Sequence, residues 1–140
     1  MKRRLLSLAL MLALPAFAQS SHVDANVPDE KDFQTFLKRD VLAYLRAKQP
    51  SVGDDIQIEL LRDAPTQSGV SYPKYYAWVR FKLGVMKQQQ GAVRLAAIEK
   101  LRFDVTDFMS AADIKADVQA VERAFPRALV PAILAKAAQS

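Results

Sequence analysis

The stretch YYAWVRFKLGVMKQQQGAVRLAAIEKLRFDV, Tyr75 to Val105, decides the fold. Ala77, Val79, Phe81, Leu83 and Val85 fall on one side of an extended chain, and Tyr76, Trp78, Arg80 and Lys82 on the other. After a polar tip, Val93, Leu95, Ala97, Leu101, Phe103 and Val105 share a side, with Arg94, Lys100, Arg102, Asp104 and Thr106 opposite. A period of two is the pattern of a strand with one buried face, so the stretch predicts a hairpin of two long antiparallel strands.

Parity constrains the register. A five-residue tip, Lys87 to Gly91, pairs position i with 178 − i and keeps odd residues opposite odd, so both apolar faces coincide. A four-residue tip would put Leu83 beside Arg94, because a slip of one residue exchanges core and solvent for every side chain. The five-residue tip sets Trp78 opposite Lys100, Tyr76 opposite Arg102 and Glu99 opposite Val79.

Upstream, Ile56, Ile58 and Leu60 alternate with Gln57 and Glu59 and predict a first strand. Pro65, Ser68, Gly69 and Pro73 punctuate the stretch from Asp63 to Pro73, which reads as a surface loop. Before the strand, Phe33, Phe36, Leu37, Val41, Tyr44 and Leu45 recur at steps of three and four, the stripe of an amphipathic helix. Asp29, Glu30 and Asp32 suit the positive end of its dipole, and Arg46 and Lys48 the negative end before Pro50 and Gly53 stop it. Downstream, Ser110 is placed to cap a helix carrying Ile114, Val118, Val121 and Phe125, which Pro126 and Pro131 interrupt or restart.

Helix, three-stranded antiparallel meander and helix make a two-layer α+β domain, with the apolar sheet face covered by both helices. In outline this resembles the cystatin-like and nuclear-transport-factor-like cones, where a long helix lies in the curl of an antiparallel sheet. The resemblance implies architecture alone, since one fold hosts many functions.

At the N-terminus, Lys2, Arg3 and Arg4 precede an apolar run from Leu5 to Leu14 that ends in Ala16-Phe17-Ala18. A basic region, a short apolar core and a small-x-small triplet are the parts of a cleavable export signal, which predicts a cut between Ala18 and Gln19. The run is too short to cross a bilayer, where about 20 residues are needed. Three divisions follow: a signal over 1–18, a flexible polar segment over 19–28, and a single domain over 29–140. The signal holds three of the 20 Lys and Arg and none of the 15 Asp and Glu, which leaves the mature chain 17 basic against 15 acidic residues, net +2. A periplasmic or secreted destination and so small a net charge argue against a nucleic-acid partner.

Absences bound the chemistry. The chain has no cysteine, which excludes disulfides and thiolate metal sites. Its single histidine, His22, lies in the expected flexible segment, with no partner for a Ser-His-Asp or His-rich metal site. The four glycines are scattered, so no phosphate loop or dinucleotide fingerprint exists, and Asp54-Asp55 lacks the spaced oxygen ligands of a calcium loop. No cofactor and no metal are expected.

Three constellations remain. Tyr76, Trp78, Arg80 and Lys82 beside Arg94, Lys100 and Arg102 form a basic and aromatic sheet face, a platform for an anionic glycan, a lipid headgroup or an acidic protein patch. A solvated outer face shows the same alternation. Glu99 is the one carboxylate that parity sends to the apolar face; a buried carboxylate could serve as a general acid or base, whereas a bend over 96–100 would turn it outward. The apolar end from Leu129 to Leu134 either completes the core or docks on a membrane or partner. The leading expectation is an exported, non-catalytic accessory protein that binds a partner or an anionic envelope ligand through the sheet face and the long loop. Its rivals are a small enzyme using Glu99 and a structural subunit of an envelope assembly.

Overall fold

A computed structural model describes residues 20–140; the export signal expected over 1–18 lies outside them. Chain order gives helix α1 (Ser20–Asn26), helix α2 (Glu30–Lys48), strands β1 (Val52–Leu60), β2 (Lys74–Leu83), β3 (Lys87–Ile98) and β4 (Arg102–Ser110), then helices α3 (Ala111–Ala116), α4 (Val118–Ala124) and α5 (Val130–Ala138). The strands form one antiparallel sheet in the order β1-β2-β3-β4. The class is α+β, as the alternation predicted, with four strands in place of three.

The extra strand arises at Glu99 and Lys100. Both take positive φ, 52° and 63°, and Leu101 N–H closes a turn onto Ile98 O at 3.0 Å. A hairpin turn with two positive φ values ordinarily uses Asn-Gly or Asp-Gly, so a Glu-Lys pair carries no local signal and the alternation reads straight through it.

Parity correctly demanded an odd-sized tip before β3, but the ladder closes sooner. Leu83 pairs with Lys87, leaving Gly84, Val85 and Met86 as the tip. The register therefore sets Trp78 opposite Ala92 and Tyr76 opposite Arg94, rather than Lys100 and Arg102.

The sheet is covered on both faces. Odd-numbered residues of β2 and β3, with Phe103 of β4, pack against Leu37, Val41, Leu42 and Leu45 of α2. The backbone of α2 comes closest to β1 and β4, the two edge strands, so the sheet curls around it. Even-numbered Tyr76, Trp78 and Ala92 pack instead against Ile114, Val121, Ile133 and Ala137 of the C-terminal helices. The expected two layers are thus three, because a sheet whose outer face holds Tyr76, Trp78 and Ala92 has apolar surface to bury on both sides. A bulge on β4 between Val105 and Asp107 exchanges its faces, so that Phe108 joins the α2 side and Met109 the other.

Ser110 caps α3 as expected, its hydroxyl accepting the Asp113 N–H at 3.1 Å. Asp117 then ends α3 and caps α4, accepting Ala120 N–H at 3.1 Å. The segment expected to be flexible holds α1. Asn26 anchors it: its Oδ1 accepts Glu99 N–H at 3.0 Å and its carbonyl accepts Lys100 N–H at 2.9 Å. These bonds span more than seventy residues of sequence, which local pattern cannot anticipate.

Candidate functional site

Trp78 does not stand on a solvated face. It is 0% exposed, beneath α3 and α5, and its indole N–H donates to Gln90 Oε1 at 3.0 Å. Tyr76 is buried beside it, edge-on to Phe125 at 6.2 Å between ring centroids, with its hydroxyl 2.7 Å from Thr66 Oγ1. Neither ring can stack a ligand without displacing the helical layer.

The five cations expected beside these rings are each matched with a carboxylate. Arg80 lies 3.9 Å from Glu59 and Lys82 3.7 Å from Asp55, both on β1. Arg94 pairs with Asp107 at 2.7 Å, Lys100 with Asp29 at 3.2 Å and Arg102 with Asp104 at 3.0 Å. Arg94 also donates to Thr106 Oγ1 at 2.9 Å and to the Ala124 carbonyl, tying the sheet to α4. Lys100 and Arg102 sit at the β3–β4 turn, away from Trp78. Sequence alternation grouped these residues; the tertiary register keeps Tyr76, Trp78, Arg80 and Arg94 together, moves Lys100 and Arg102 to the β3–β4 turn, and gives each cation a carboxylate neighbour.

Glu99 is exposed at the crest of the β3–β4 turn, turned outward as a bend over 96–100 requires and not opposite Val79 on the apolar face. Leu101, also expected inward, is 63% exposed. The apolar C-terminal segment finishes the core: Val130, Ile133 and Ala137 of α5 are buried against the Trp78 face. Lys136 of the same helix reaches across to Glu59 at 2.9 Å, and that hydrogen bond holds the Glu59 carboxyl below the usual glutamate range.

What the alternation did not show is the end of the sheet where the β1–β2 connection, the β3–β4 turn and α1 meet. The connection is fixed by its own bonds. Thr66 and Lys74 form a two-way backbone bridge at 2.9 Å, Gln67 Nε2 donates to Gly69 O and Ser71 O, and the His22 ring nitrogen meets Ser71 O at 3.0 Å. On this braced loop Val70 is 94% exposed and Tyr72 41%. Pro73 O accepts Ala97 N–H at 2.9 Å, which ties the loop's end to β3 just before the turn that carries Leu101.

Beside the loop a cleft of about 640 Å³ opens between the start of α2 and the edge of β1, with Val27, Phe33, Leu60 and Tyr75 as its apolar wall and Glu30 and Asp63 as acidic groups. Phe33 stands edge-on to both Tyr75 and Phe103 at 5.1 Å, which fixes the inner wall. Burial raises the pKa of the Tyr75 phenol. Pro65, Ser68, Gly69 and Pro73 were the sequence signal for this end; a loop rich in Pro, Ser and Gly reads the same whether it is braced or not.

Among the described residues no group of three or more His, Asp or Glu side chains is arranged to hold a metal ion, and no helix is long and apolar enough to cross a membrane. Compared with known proteins, the chain matches no family model, no curated protein and no solved structure.

Proposed function

We propose that this protein is an exported, non-catalytic accessory that binds a protein partner at the loop end of its sheet. One observation carries the reading: Val70 and Tyr72 are held in water on a loop braced by hydrogen bonds, beside the half-apolar cleft and at the same end as Leu101. Exposed apolar side chains on an ordered loop meet a partner without a large ordering entropy, whereas a mobile loop would lose that freedom on binding. The paired cations of the sheet leave an anionic ligand with less to recognise than a protein surface has.

Export is supported by Lys2, Arg3 and Arg4, the Leu5–Leu14 run and Ala16-Phe17-Ala18. The curl of the sheet around α2 supports the cone outline of cystatin-like and nuclear-transport-factor-like domains.

Two measurements test the reading. Fractionated cells should yield a chain beginning at Gln19 outside the cytoplasm; a full-length chain in the cytoplasm would overturn export. Immobilised mature protein should retain an envelope component that the Val70→Ser, Tyr72→Ser form, equally folded by circular dichroism, does not. Equal retention by both forms would remove the loop end from consideration.

A further inference from the structure

The strand β3 runs past the end of its neighbour. Lys87–Gln90 pair with β2, from Leu83↔Lys87 to Arg80↔Gln90, but the ladder to β4 stops at Gly91↔Ser110 because the chain turns into α3 there. Among the described residues, no backbone hydrogen bond joins Lys87–Gln90 to any element other than β2. In an antiparallel ladder N–H and C=O pairs point alternately to the two sides, so this stretch presents unpaired edge groups where β4 would have continued.

Beside that edge lies a groove of about 640 Å³, with Lys87–Gln90 as one wall and Ala111, Ala112, Lys115 and Ala116 of α3 as the other. The small alanine side chains keep the walls apart. The lining includes two lysines, no Asp or Glu side chain, and Ser140 of the C-terminal end. Lys115 donates to Ser140 O at 3.0 Å, which occupies one of the three N–H donors of its ammonium. No ion pair among the described residues includes Lys87.

The geometry points to an extended acidic peptide of another protein as the occupant, added as a strand antiparallel to Lys87–Gln90 in the line of the missing extension of β4. Main-chain bonds to the open edge supply affinity, as in other strand-addition sites. An acidic C-terminal end lies against Lys87, since an antiparallel strand entering beside Ser110 leaves beside Lys87. A second copy of this chain fits less well, because its own Lys87 would enter a groove that already carries two cations. The site is at the opposite end of the sheet from the braced loop and does not depend on the loop-end reading.

The test uses the mature protein and a short synthetic peptide alternating Thr and Val and ending in Asp residues. Three probes are compared: this peptide, its Lys-ended counterpart, and the acidic peptide N-methylated at alternate amides. Backbone amide shifts on adding the acidic peptide should be confined to Lys87–Gln90 and α3. N-methylation should abolish binding, and the exposed-site change Lys87→Glu with Lys115→Glu should weaken it by about tenfold and favour the Lys-ended peptide. Ala112→Leu, which narrows the groove without touching the strand, should also weaken it. Binding indifferent to N-methylation and charge, shifts elsewhere, dimerisation through Lys87–Gln90, or no binding at millimolar peptide would each overturn the proposal.

Discussion

Trp78 and Arg80 donate to the same atom: the indole Nε1 and the guanidinium Nε reach Gln90 Oε1 at 3.0 and 3.1 Å. One cross-strand amide therefore satisfies the polar edge of a fully buried ring and also holds a cation at the rim of the helical layer. A buried indole N–H needs an acceptor, and Gln90, directly opposite Arg80 in the ladder, is the residue whose side chain lies within reach.

Trp78 is accordingly a core residue and not a ligand platform. Trp78→Ala should lower the unfolding free energy by about 3–5 kcal/mol, read from a denaturant midpoint. Gln90→Ala should remove about 1–3 kcal/mol by stranding the indole N–H. A Trp78→Ala protein of unchanged stability would contradict the three-layer packing.

Gly91 lies on β3 opposite Ser110, against Phe108 and Met109 of the bulged β4. An added Cβ would lie 2.4 Å from Met109 O and 2.7 Å from the Phe108 ring. Gly91→Ala should destabilise by about 1–3 kcal/mol, since the nearest obstacle is backbone and cannot rotate away. Gly53, with open space around its Cβ position, should tolerate the same change.

Glu99 separates a structural account from a catalytic one. Its positive φ disfavours any side chain by roughly 1–2 kcal/mol, while glycine's extra chain entropy offsets about 0.5–1 kcal/mol. Glu99→Gly should raise stability by up to about 1 kcal/mol, and Glu99→Val should lower it. Scanning both by thermal melts tests the turn, because a carboxylate facing the core would make Val the better replacement.

The Lys136–Glu59 bond couples α5 to β1 and makes stability depend on acid. The carboxyl pKa is lowered in the folded chain, so its contribution is complete above the unfolded glutamate value of about 4.3 and is lost as pH falls through the lowered value. Lys136→Met should flatten that part of the stability–pH curve by lowering stability near neutrality, where the contribution is complete, and leaving it unchanged at the acid end; the loss is small because the pair is partly exposed. Denaturant titrations from neutral pH to about pH 3 measure it.

The stripe of α2, the alternation of β1 to β3 and the Ser110 cap were legible because each is set by residues within one element. Periods of 3.6 and 2 and a hydroxyl three residues before an amide are local facts. So was the odd parity of the tip, which follows from two apolar faces having to coincide. The tip's length was not legible, since three and five residues satisfy parity equally and differ only in which cross-strand neighbours result. A bend over 96–100 that turns Glu99 outward was among the readings of the sequence; that it is a hairpin turn dividing one strand into two was hidden for a related reason, since Asn26, distant in sequence, holds its amides.

By itself the sequence determined the α+β class and the amphipathic helix against an antiparallel sheet. Tertiary structure decided which face of each strand meets water. A face carrying Tyr76, Trp78, Arg80 and Lys82 reads as solvated until helices from elsewhere in the chain cover the two rings and leave the two cations at the rim. Burial is a property of what packs on a residue, and that partner is chosen by the whole chain; alternation reports only that the two faces differ.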